Sequence, residues 1–512
     1  MSHYHCITFA PVQGFIEKSR KLRDLNGSSR ILSFLAASIC QPYQDDRLIL
    51  PGTIDTMGGV PNQIVIKGDV SESDIRQTFD RAWGAVVKTC QQYLESLLPD
   101  TTFDWNREWN LCRSYGWELF YASGEDYDSA KAALARCKQS RNWVGINWTG
   151  ESSSLSGADA IAWNRMCSYN PTHSIPRAEI DDFYLQLSGR LSSILDVGER
   201  LSIPELIKRA ILLDPVRELL HENYPELPEI NKLKSSFSEL NRFAKSPKVN
   251  RWTGWFMGDG DRLGSYLTQL RNDAKDRRED PDRAIQEFSQ RMLTWSEDLE
   301  DRLNEQINGR IVYAGGDDFL GVLFRNENAL LQPKECLQFW YRFPEIWREC
   351  GQKDLTVSIG FVWAAPQIPQ RDVLQHCRLA EKSAKNNGRD RLAIRILFNS
   401  GNYLEWCCPW DCLKQILTSC SDWTHFYKDI ATLTARRGIN SSGHEIAIEI
   451  FKIYFGDDAW AQISDRLWDD PDLLRTAILG EKPKSKTAQI ERLNDWIVAL
   501  SKVGWQIFGN WS

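Results

Sequence analysis

Residues 313–320 read YAGGDDFL, and apolar, strand-like residues lie on both sides of the GGDD tetrapeptide. Adjacent glycines permit the backbone angles of a tight hairpin turn and let a phosphate approach the main chain. Asp317 and Asp318 are then neighbouring carboxylates at a hairpin tip. Carboxylates that converge on one site repel each other, and a cation relieves that repulsion. The stretch therefore predicts either a metal site or a solvent-exposed acidic turn.

A second acidic turn, MGDGDRLG at residues 257–264, follows an apolar strand and opens a helix. Asp259 would lie at the end of that strand. The amides of Gly260 to Ser265, including those of Asp261 and Gly264, would lie at the helix N-terminus, where phosphate binds favourably. A plain strand–helix turn is the alternative. An EF-hand calcium loop is excluded, because leucines occupy positions that need oxygen ligands.

Two acidic turns on paired strands of one sheet would bring these carboxylates around two metal ions about 4 Å apart. We predict Asp259, Asp317 and Asp318 as catalytic residues. The predicted metal ligands are these three and Gly260, and the predicted cation is Mg²⁺ or Mn²⁺, which prefer oxygen. Lys385, in the helix-ending segment AKNNGR, could reach β- and γ-phosphates, although lysine before glycine is also an ordinary helix end.

The order strand–helix–strand–strand–helix–strand occurs twice, as in ferredoxin-like units. The first copy has predicted strands Tyr4–Phe9, Arg47–Leu50, Asn62–Lys67 and Trp117–Ala122, with helices in Val12–Cys40, broken near Asn26 and Gly27, and in Ser71–Leu98. The second has strands Trp255–Gly258, Arg310–Ala314, Phe319–Phe324, Leu355–Trp363 and, as the last, Leu392–Leu397, with helices in Arg262–Arg271, Asp282–Ile307, Glu335–Cys350 and Arg371–Asn386. Predicted C-terminal helices include Ile446–Phe455, Leu473–Leu479 and Ile490–Val503.

We therefore predict an α+β fold with two ferredoxin-like domains, a helical insert between them and an all-α C-terminal domain. The predicted boundaries are 1–140 for the first domain, 141–248 for the insert, 249–398 for the second domain with GGDD, and 399–512 for the C-terminal domain. The segment 241–251 is polar and basic, as expected at a boundary.

The composition narrows the class of protein. The net charge of −7 disfavours a protein that grips RNA or DNA alone, because phosphate contacts carry most of such affinity. The 13 cysteines are mostly scattered, which favours reduced thiols in a cytoplasmic protein. No window approaches the ~18 apolar residues of a membrane span, and the N-terminus does not read as a targeting segment.

The GGDD turn, the DGD turn and the Lys385 segment together resemble the nucleotidyl-cyclase palm of GGDEF diguanylate cyclases and of the large subunit of type III CRISPR–Cas effector complexes. Further stretches look like the Cmr-type (III-B) large subunit. They are FAPVQGFI at 9–16, SRKLRDL at 19–25, GSS at 27–29, GVPN at 59–62 and RCKQSR at 136–141. The resemblance covers most of residues 1–400 and gives the first palm as degenerate, because it lacks GGDD.

The resemblance implies that ATP binds between two palms and that a 3′-hydroxyl attacks an α-phosphate, which yields cyclic oligoadenylates. It implies that Asp259 and Asp317 bind metal and that Asp318 is a further ligand or activates the hydroxyl. The predicted nucleotide-binding residues are Gly260, Asp261, Gly264, Ser265, Gly315, Gly316, Lys385, Lys382, Arg20 and Arg23. The two arginines equally fit a solvated basic helix face. The implied partners are other Cmr-type subunits, guide CRISPR RNA and the target RNA that activates synthesis, with no membrane.

Two departures from that family shape the expectation. Many relatives begin with an HD nuclease domain, whereas this sequence starts at the first palm and contains no His-Asp pair, so we expect no DNA cleavage by such a domain. Relatives often carry a cysteine zinc site between the palms, but residues 147–151 lack CxxC, so no structural zinc is expected. A catalytically silent scaffold subunit and a diguanylate cyclase are the alternatives.

Overall fold

The computed structural model describes residues 3–44, 46–54, 61–141, 144–168, 170, 173, 175–230, 251–304, 307–325, 330–349, 355–440, 444–470 and 476–509. The chain divides into two compact units, Met1–Phe237 with Gln269–Glu297, and Ser238–Thr268 with Asp298–Ser512. Among the described residues, no helix combines the length and the apolar character that a membrane crossing requires. The predicted boundary at 248/249 and the first two residues of GVPN lie outside the described residues.

The first unit contains a four-stranded antiparallel sheet of order β2-β3-β1-β4, which is the ferredoxin-like order that the sequence predicts. Its strands are β1 Tyr4–Ala10, β2 Leu48–Leu50, β3 Ile64–Lys67 and β4 Glu118–Gly124. Its helices are α1 Val12–Glu17, α2 Leu22–Cys40, α3 Glu72–Ser96, α4 Asn106–Tyr115, α5 Tyr127–Gln139, α6 Arg177–Arg190, α7 Ile203–Ala210 and α8 Asp214–Asn223. Helices α6 to α8 lie in the predicted insert, and one hydrophobic cluster extends from Ile7 to Ile230.

The predicted break of the first helical stretch at Asn26 and Gly27 is wrong. The chain breaks earlier, between α1 and α2, where Asp24 Oδ2 accepts the Lys21 amide at 2.9 Å and starts α2. Gly27 lies inside α2, and a Cβ there would be 1.8 Å from the carbonyl oxygen of Lys208 in α7. The glycine therefore allows close packing of two helices and does not end one.

The second unit contains a six-stranded sheet of order β10-β9-β8-β5-β7-β6. Its strands are β5 Thr253–Gly260, β6 Gly309–Ala314, β7 Phe319–Leu323, β8 Val357–Ala364, β9 Arg391–Leu397 and β10 Tyr403–Pro409. Helices α9 Leu263–Asp276 and α10 Pro281–Asn304 contribute residues to both units. The other helices of the second unit are α11 Pro333–Glu349, α12 Gln370–Asn386, α13 Trp410–Ser419, α14 Trp423–Ala435, α15 His444–Phe455, α16 Asp457–Ser464 and α17 Lys486–Gly504. A π-helical turn, Trp505–Gly509, follows α17. The antiparallel strands β8-β5-β7-β6 repeat the order of the first sheet.

Close packing of β5 against β7 depends on two glycines. A Cβ at Gly258 would be 2.2 Å from the Phe319 ring, and a Cβ at Gly321 would be 2.3 Å from the Phe256 ring. The aromatic rings therefore fill the space that side chains at the glycines would take. This packing sets β5, with its acidic C-terminal end, beside the hairpin formed by β6 and β7.

Two predictions for the C-terminal part are wrong. Leu392–Leu397 is not the last strand, because β10 pairs antiparallel with β9 after a turn that Gly401 makes with φ of 81°. Leu473–Leu479 is not helical where the structure describes it, from Thr476 onward. There the amides of Ile478 and Leu479 bond to the carbonyls of Arg466 and Leu467, which replaces the helical pattern.

Candidate active site

Asp259 is the penultimate residue of β5 and projects from the C-terminal end of a central strand. The strand lies between β7 and β8, and Asp259 pairs with Ser358 in β8. The Asp259 side chain is half-buried, and its Oδ2 contacts the Lys385 ammonium. The carboxylate therefore lies at an edge of the sheet that solvent can reach.

The GGDD turn joins β6 to β7 as the sequence predicts. The Gly315 amide donates to the Asp318 carbonyl at 2.8 Å, and Gly316 has φ of 92°, which favours glycine. The Gly260 amide donates to the Asp317 carbonyl at 3.1 Å and joins the two acidic turns. Asp259, Asp317 and Asp318, the three predicted catalytic residues, are thereby brought to one place.

Helix α12 supplies the basic group of the site. Lys385, in its last turn, contacts Asp259 and lies 2.8 Å from Glu381 Oε1. Sequence reasoning missed Glu381, although its i,i+4 spacing from Lys385 is a recognisable ion-pair signal. It also missed Tyr313, whose hydroxyl donates to Asp318 Oδ1 at 3.3 Å.

The carboxylates of the site hold protons more tightly than usual. Burial, together with the charges of Asp259 and Asp318, raises the pKa of Asp317 to about 8. Burial and the charge of Asp259 raise the pKa of Asp318, and because Asp318 is exposed at the turn, solvent screening weakens this shift. Burial also raises the pKa of Asp259, against the opposing effect of Lys385. Burial disfavours the Lys385 ammonium, but its hydrogen bond to Asp259 and its ion pair with Glu381 outweigh this effect and raise the pKa of Lys385 to about 12.

The oxygen-rich donor set fits a divalent cation. Within the part of the chain that the structure describes, no group of three or more His, Cys, Asp or Glu side chains is placed to hold a metal ion by itself. Mg²⁺ often takes only one or two carboxylates and completes its shell with phosphate and water. Three crowded carboxylates with raised pKa values are what such a cation would neutralise.

The predicted phosphate-binding positions lie on two helices near these carboxylates. Gly264 and Ser265 are exposed in the first turn of α9, where the first amides of a helix lack intrahelical partners. Arg262 precedes the helix with φ of 57°, and its carbonyl accepts the Ser265 amide at 2.9 Å. Lys382 is exposed on α12, one turn before Lys385. The site thus combines the exposed first turn of α9 with the Lys385 ammonium beside the carboxylates.

Two family models match separate segments of the chain. Residues 253–393 match the second palm domain of Cas10/Cmr2, and residues 4–57 match the N-terminal region of the CRISPR-associated protein Cmr2. The chain therefore carries a segment similar to the Cas10/Cmr2 second palm and a segment similar to the Cmr2 N-terminal region. Strands β5 to β8, with Asp259, Asp317 and Asp318, all lie within the segment that matches the Cas10/Cmr2 second palm.

Solved structures resemble this chain at low sequence identity, and one of them, with a TM-score above 0.5, shares its fold. A chain of the type III-B Cmr-beta cryo-EM structure in the apo state is 11% identical, with 98% of this chain and 82% of that chain covered and a TM-score of 0.56. The Cmr-beta structure bound to cognate target RNA gives 11% identity, 98% and 83% coverage and a TM-score of 0.49. A chain of the Csm1-Csm4 cassette in complex with cA4 is 14% identical, with 99% of this chain and 70% of that chain covered and a TM-score of 0.41. No curated protein sequence matches the chain at a significant level.

Asp261, predicted to bind nucleotide, is committed to the fold of the palm. Its carboxylate is buried and accepts hydrogen bonds from Thr356 Oγ1 at 2.8 Å, Ser358 Oγ at 2.7 Å and the Asp390 amide at 2.9 Å. These three hydrogen bonds favour a structural role for Asp261, and nucleotide binding by this residue stays a prediction. Asp261 ties the β5–α9 turn to β8 and to the turn after α12.

Arg20 and Arg23 lie in the first unit and have acceptors there. Arg20 Nη2 donates to the Ser156 carbonyl at 2.7 Å, and Arg23 Nη2 pairs with Asp196 Oδ2 at 2.8 Å. Asp24, in the same SRKLRDL block, pairs at 2.6 Å with Arg209, and neither side chain is exposed. These contacts favour a structural role for the block, and nucleotide binding by the two arginines stays a prediction.

Proposed function

We propose that the chain is the large subunit of a type III CRISPR effector complex and joins ATP molecules into cyclic oligoadenylates. The observation that carries the proposal is the convergence of Asp259 and the GGDD carboxylates beside Lys385 and the N-terminus of α9. Phosphoryl transfer needs positioning and charge neutralisation more than covalent chemistry, and these groups supply both. The match of residues 253–393 to the Cas10/Cmr2 second palm supports the same activity.

The residues divide the work of the transfer between them. A bound Mg²⁺ or Mn²⁺, held by Asp259 and Asp317, would supply charge neutralisation at the reacting phosphate. The exposed first turn of α9, at Gly264 and Ser265, binds triphosphate oxygens. A bond forms between a 3′-oxygen and the α-phosphorus, the bond from that phosphorus to the bridging oxygen breaks, and pyrophosphate leaves. Lys385 stabilises the charge on the pyrophosphate, and Asp318 orients the attacking hydroxyl and receives its proton.

The proposal includes RNA and partner subunits because segments of the chain match Cas10/Cmr2 models. With a net charge of −7, the chain has no general excess of cations to hold RNA phosphates. We therefore propose that guide RNA is held mainly by other Cmr-type subunits and that pairing with target RNA activates the palm.

The test compares products formed from ATP and from GTP, with magnesium or manganese, by the chain alone and by the complex carrying guide and target RNA. Asp317→Ala with Asp318→Ala should abolish oligoadenylate formation and leave folding and assembly intact, because both side chains lie in a surface turn. Asp457→Ala with Asp458→Ala removes an adjacent acidic pair that is exposed at the start of α16 and is the control.

Each outcome selects one function. Product that persists in the Asp317/Asp318 variant contradicts the proposed site. No product from any wild-type sample indicates the scaffold alternative, and cyclic diguanylate from GTP indicates the diguanylate cyclase alternative.

A further inference from the structure

Lys385 lies between two carboxylates that come from different elements. Asp259, at the end of β5, contacts its ammonium from the sheet, and Glu381, one helical turn earlier in α12, lies 2.8 Å away. The exposed fractions of the side chains are 27% for Lys385, 28% for Asp259 and 15% for Glu381. Glu381 is therefore the more enclosed of the two partners.

The two partners differ in what else they are needed for. Asp259 is a proposed metal ligand, so the oxygen that Lys385 now contacts is one that a divalent cation would also use. Two cations near one carboxylate repel each other, and the repulsion grows where water is partly excluded. Glu381, on the same helix as Lys385, keeps its spacing from the lysine whatever happens at the sheet edge.

We infer that Glu381 is a positioning residue that retains the Lys385 ammonium when a divalent cation occupies Asp259. The lysine then moves from a contact shared by two carboxylates to one held by Glu381 alone, and it stays beside the bound triphosphate. This inference rests on the proposed function for its nucleotide, but its central step, the exchange of lysine for metal at Asp259, concerns the chain and the cation only.

The exchange makes a specific prediction for metal binding. In Glu381→Gln the lysine has only Asp259 as a charged partner, so the cation competes against a tighter ion pair. The magnesium concentration at half-maximal response should rise about three- to tenfold. In Lys385→Met no lysine competes, so adding Glu381→Gln should change that midpoint less than about twofold.

The experiment titrates the full chain with magnesium chloride and follows its melting temperature, without nucleotide and then with an ATP analogue that has a methylene bridge between the α- and β-phosphates. Wild type, Glu381→Gln, Lys385→Met and the double variant form a cycle. Glu449→Gln removes the partner of Lys452 in an exposed helical pair and is the matched control, with no expected effect on the midpoint.

The outcomes separate positioning from direct ligation. If Glu381→Gln weakens magnesium binding equally with and without Lys385, Glu381 is itself a metal ligand and the inference is overturned. An unchanged midpoint in Glu381→Gln also overturns it. A wild-type chain that responds to magnesium but makes no nucleotide product even in the complex with guide and target RNA refutes the proposed function and leaves the lysine exchange standing. A wild-type chain with no magnesium response refutes both.

Discussion

The backbone amide of Gly260 donates a hydrogen bond to the carbonyl oxygen of Asp317 at 3.1 Å. The contact ties the end of β5 to the β6–β7 turn, and a Cβ at Gly260 would lie 2.9 Å from the Asp317 Cβ. The distance between the two acidic turns is therefore set by the absence of a side chain at one residue.

We expect Gly260→Ala to push Asp317 away from Asp259 and to reduce product formation about 10- to 100-fold, since small displacements of reacting groups have effects of this size. The magnesium-induced rise in melting temperature should weaken in parallel. Gly315→Ala is the steric control for metal binding, because a Cβ there meets no heavy atom within 4 Å. An unchanged magnesium response in Gly260→Ala would show that the turns do not need this close contact.

Asp259 and Asp261 are two residues apart, but replacing each by asparagine should affect different properties, stability for Asp261 and product formation for Asp259. Asp261→Asn removes an acceptor from a buried carboxylate with three donors and should lower the free energy of unfolding by about 1–3 kcal/mol, without metal present. Asp259→Asn should leave stability nearly unchanged and abolish product. Chemical denaturation and product analysis of both variants test these two expectations. A stable but inactive Asp261→Asn variant would indicate that Asp261 binds ligand.

The raised carboxylate pKa values predict how the stability of the chain depends on pH and on magnesium. Asp317 has an ordinary pKa of 3.8 that rises to about 8 in the folded chain, so between these values the folded state binds more protons than the unfolded state. Stability linked to this proton is complete below about pH 4 and is lost as pH rises through about 8. Melting temperatures in a chelator should therefore fall from pH 6 to pH 8, less so in Asp317→Asn.

Magnesium should offset that loss, because the cation replaces the proton. The magnesium-induced rise in melting temperature is then larger at pH 8 than at pH 6, and it shrinks at both values in Asp317→Asn. A magnesium response that does not vary with pH would mean that the cation does not compete with protons at these carboxylates.

Helix α2 should not tolerate a side chain at Gly27. Because a Cβ there would be 1.8 Å from the Lys208 carbonyl oxygen, Gly27→Ala should lower the free energy of unfolding by at least about 2 kcal/mol. Gly189→Ala in α6, where a Cβ meets nothing within 4 Å, should instead be neutral or stabilise by roughly 0.5–1 kcal/mol. Equal melting temperatures for the two variants would contradict the close packing of α2 on α7.

Local patterns in the sequence were sufficient for the ferredoxin-like order of both sheets and for the convergence of Asp259 with Asp317. Apolar runs such as β1 and β8 are bounded by turn residues, and the GGDD glycines mark the hairpin directly. Once β5 and β7 are neighbours, the ends of these strands must meet, so the acidic turns need no further information to be paired.

Contacts between distant residues were decided only in the tertiary structure. Asp261 reads like Asp259 in the sequence, yet its hydrogen-bond donors lie 95, 97 and 129 residues further along the chain. In the sequence Gly27 predicts a helix break, whereas in the structure it allows α7 to pack closely against α2. The role of Glu381 becomes visible only through the contact of Lys385 with Asp259. A local pattern encodes the preference of the backbone and the burial of a face, whereas the partner of a polar side chain depends on which distant segments the folded core brings beside it.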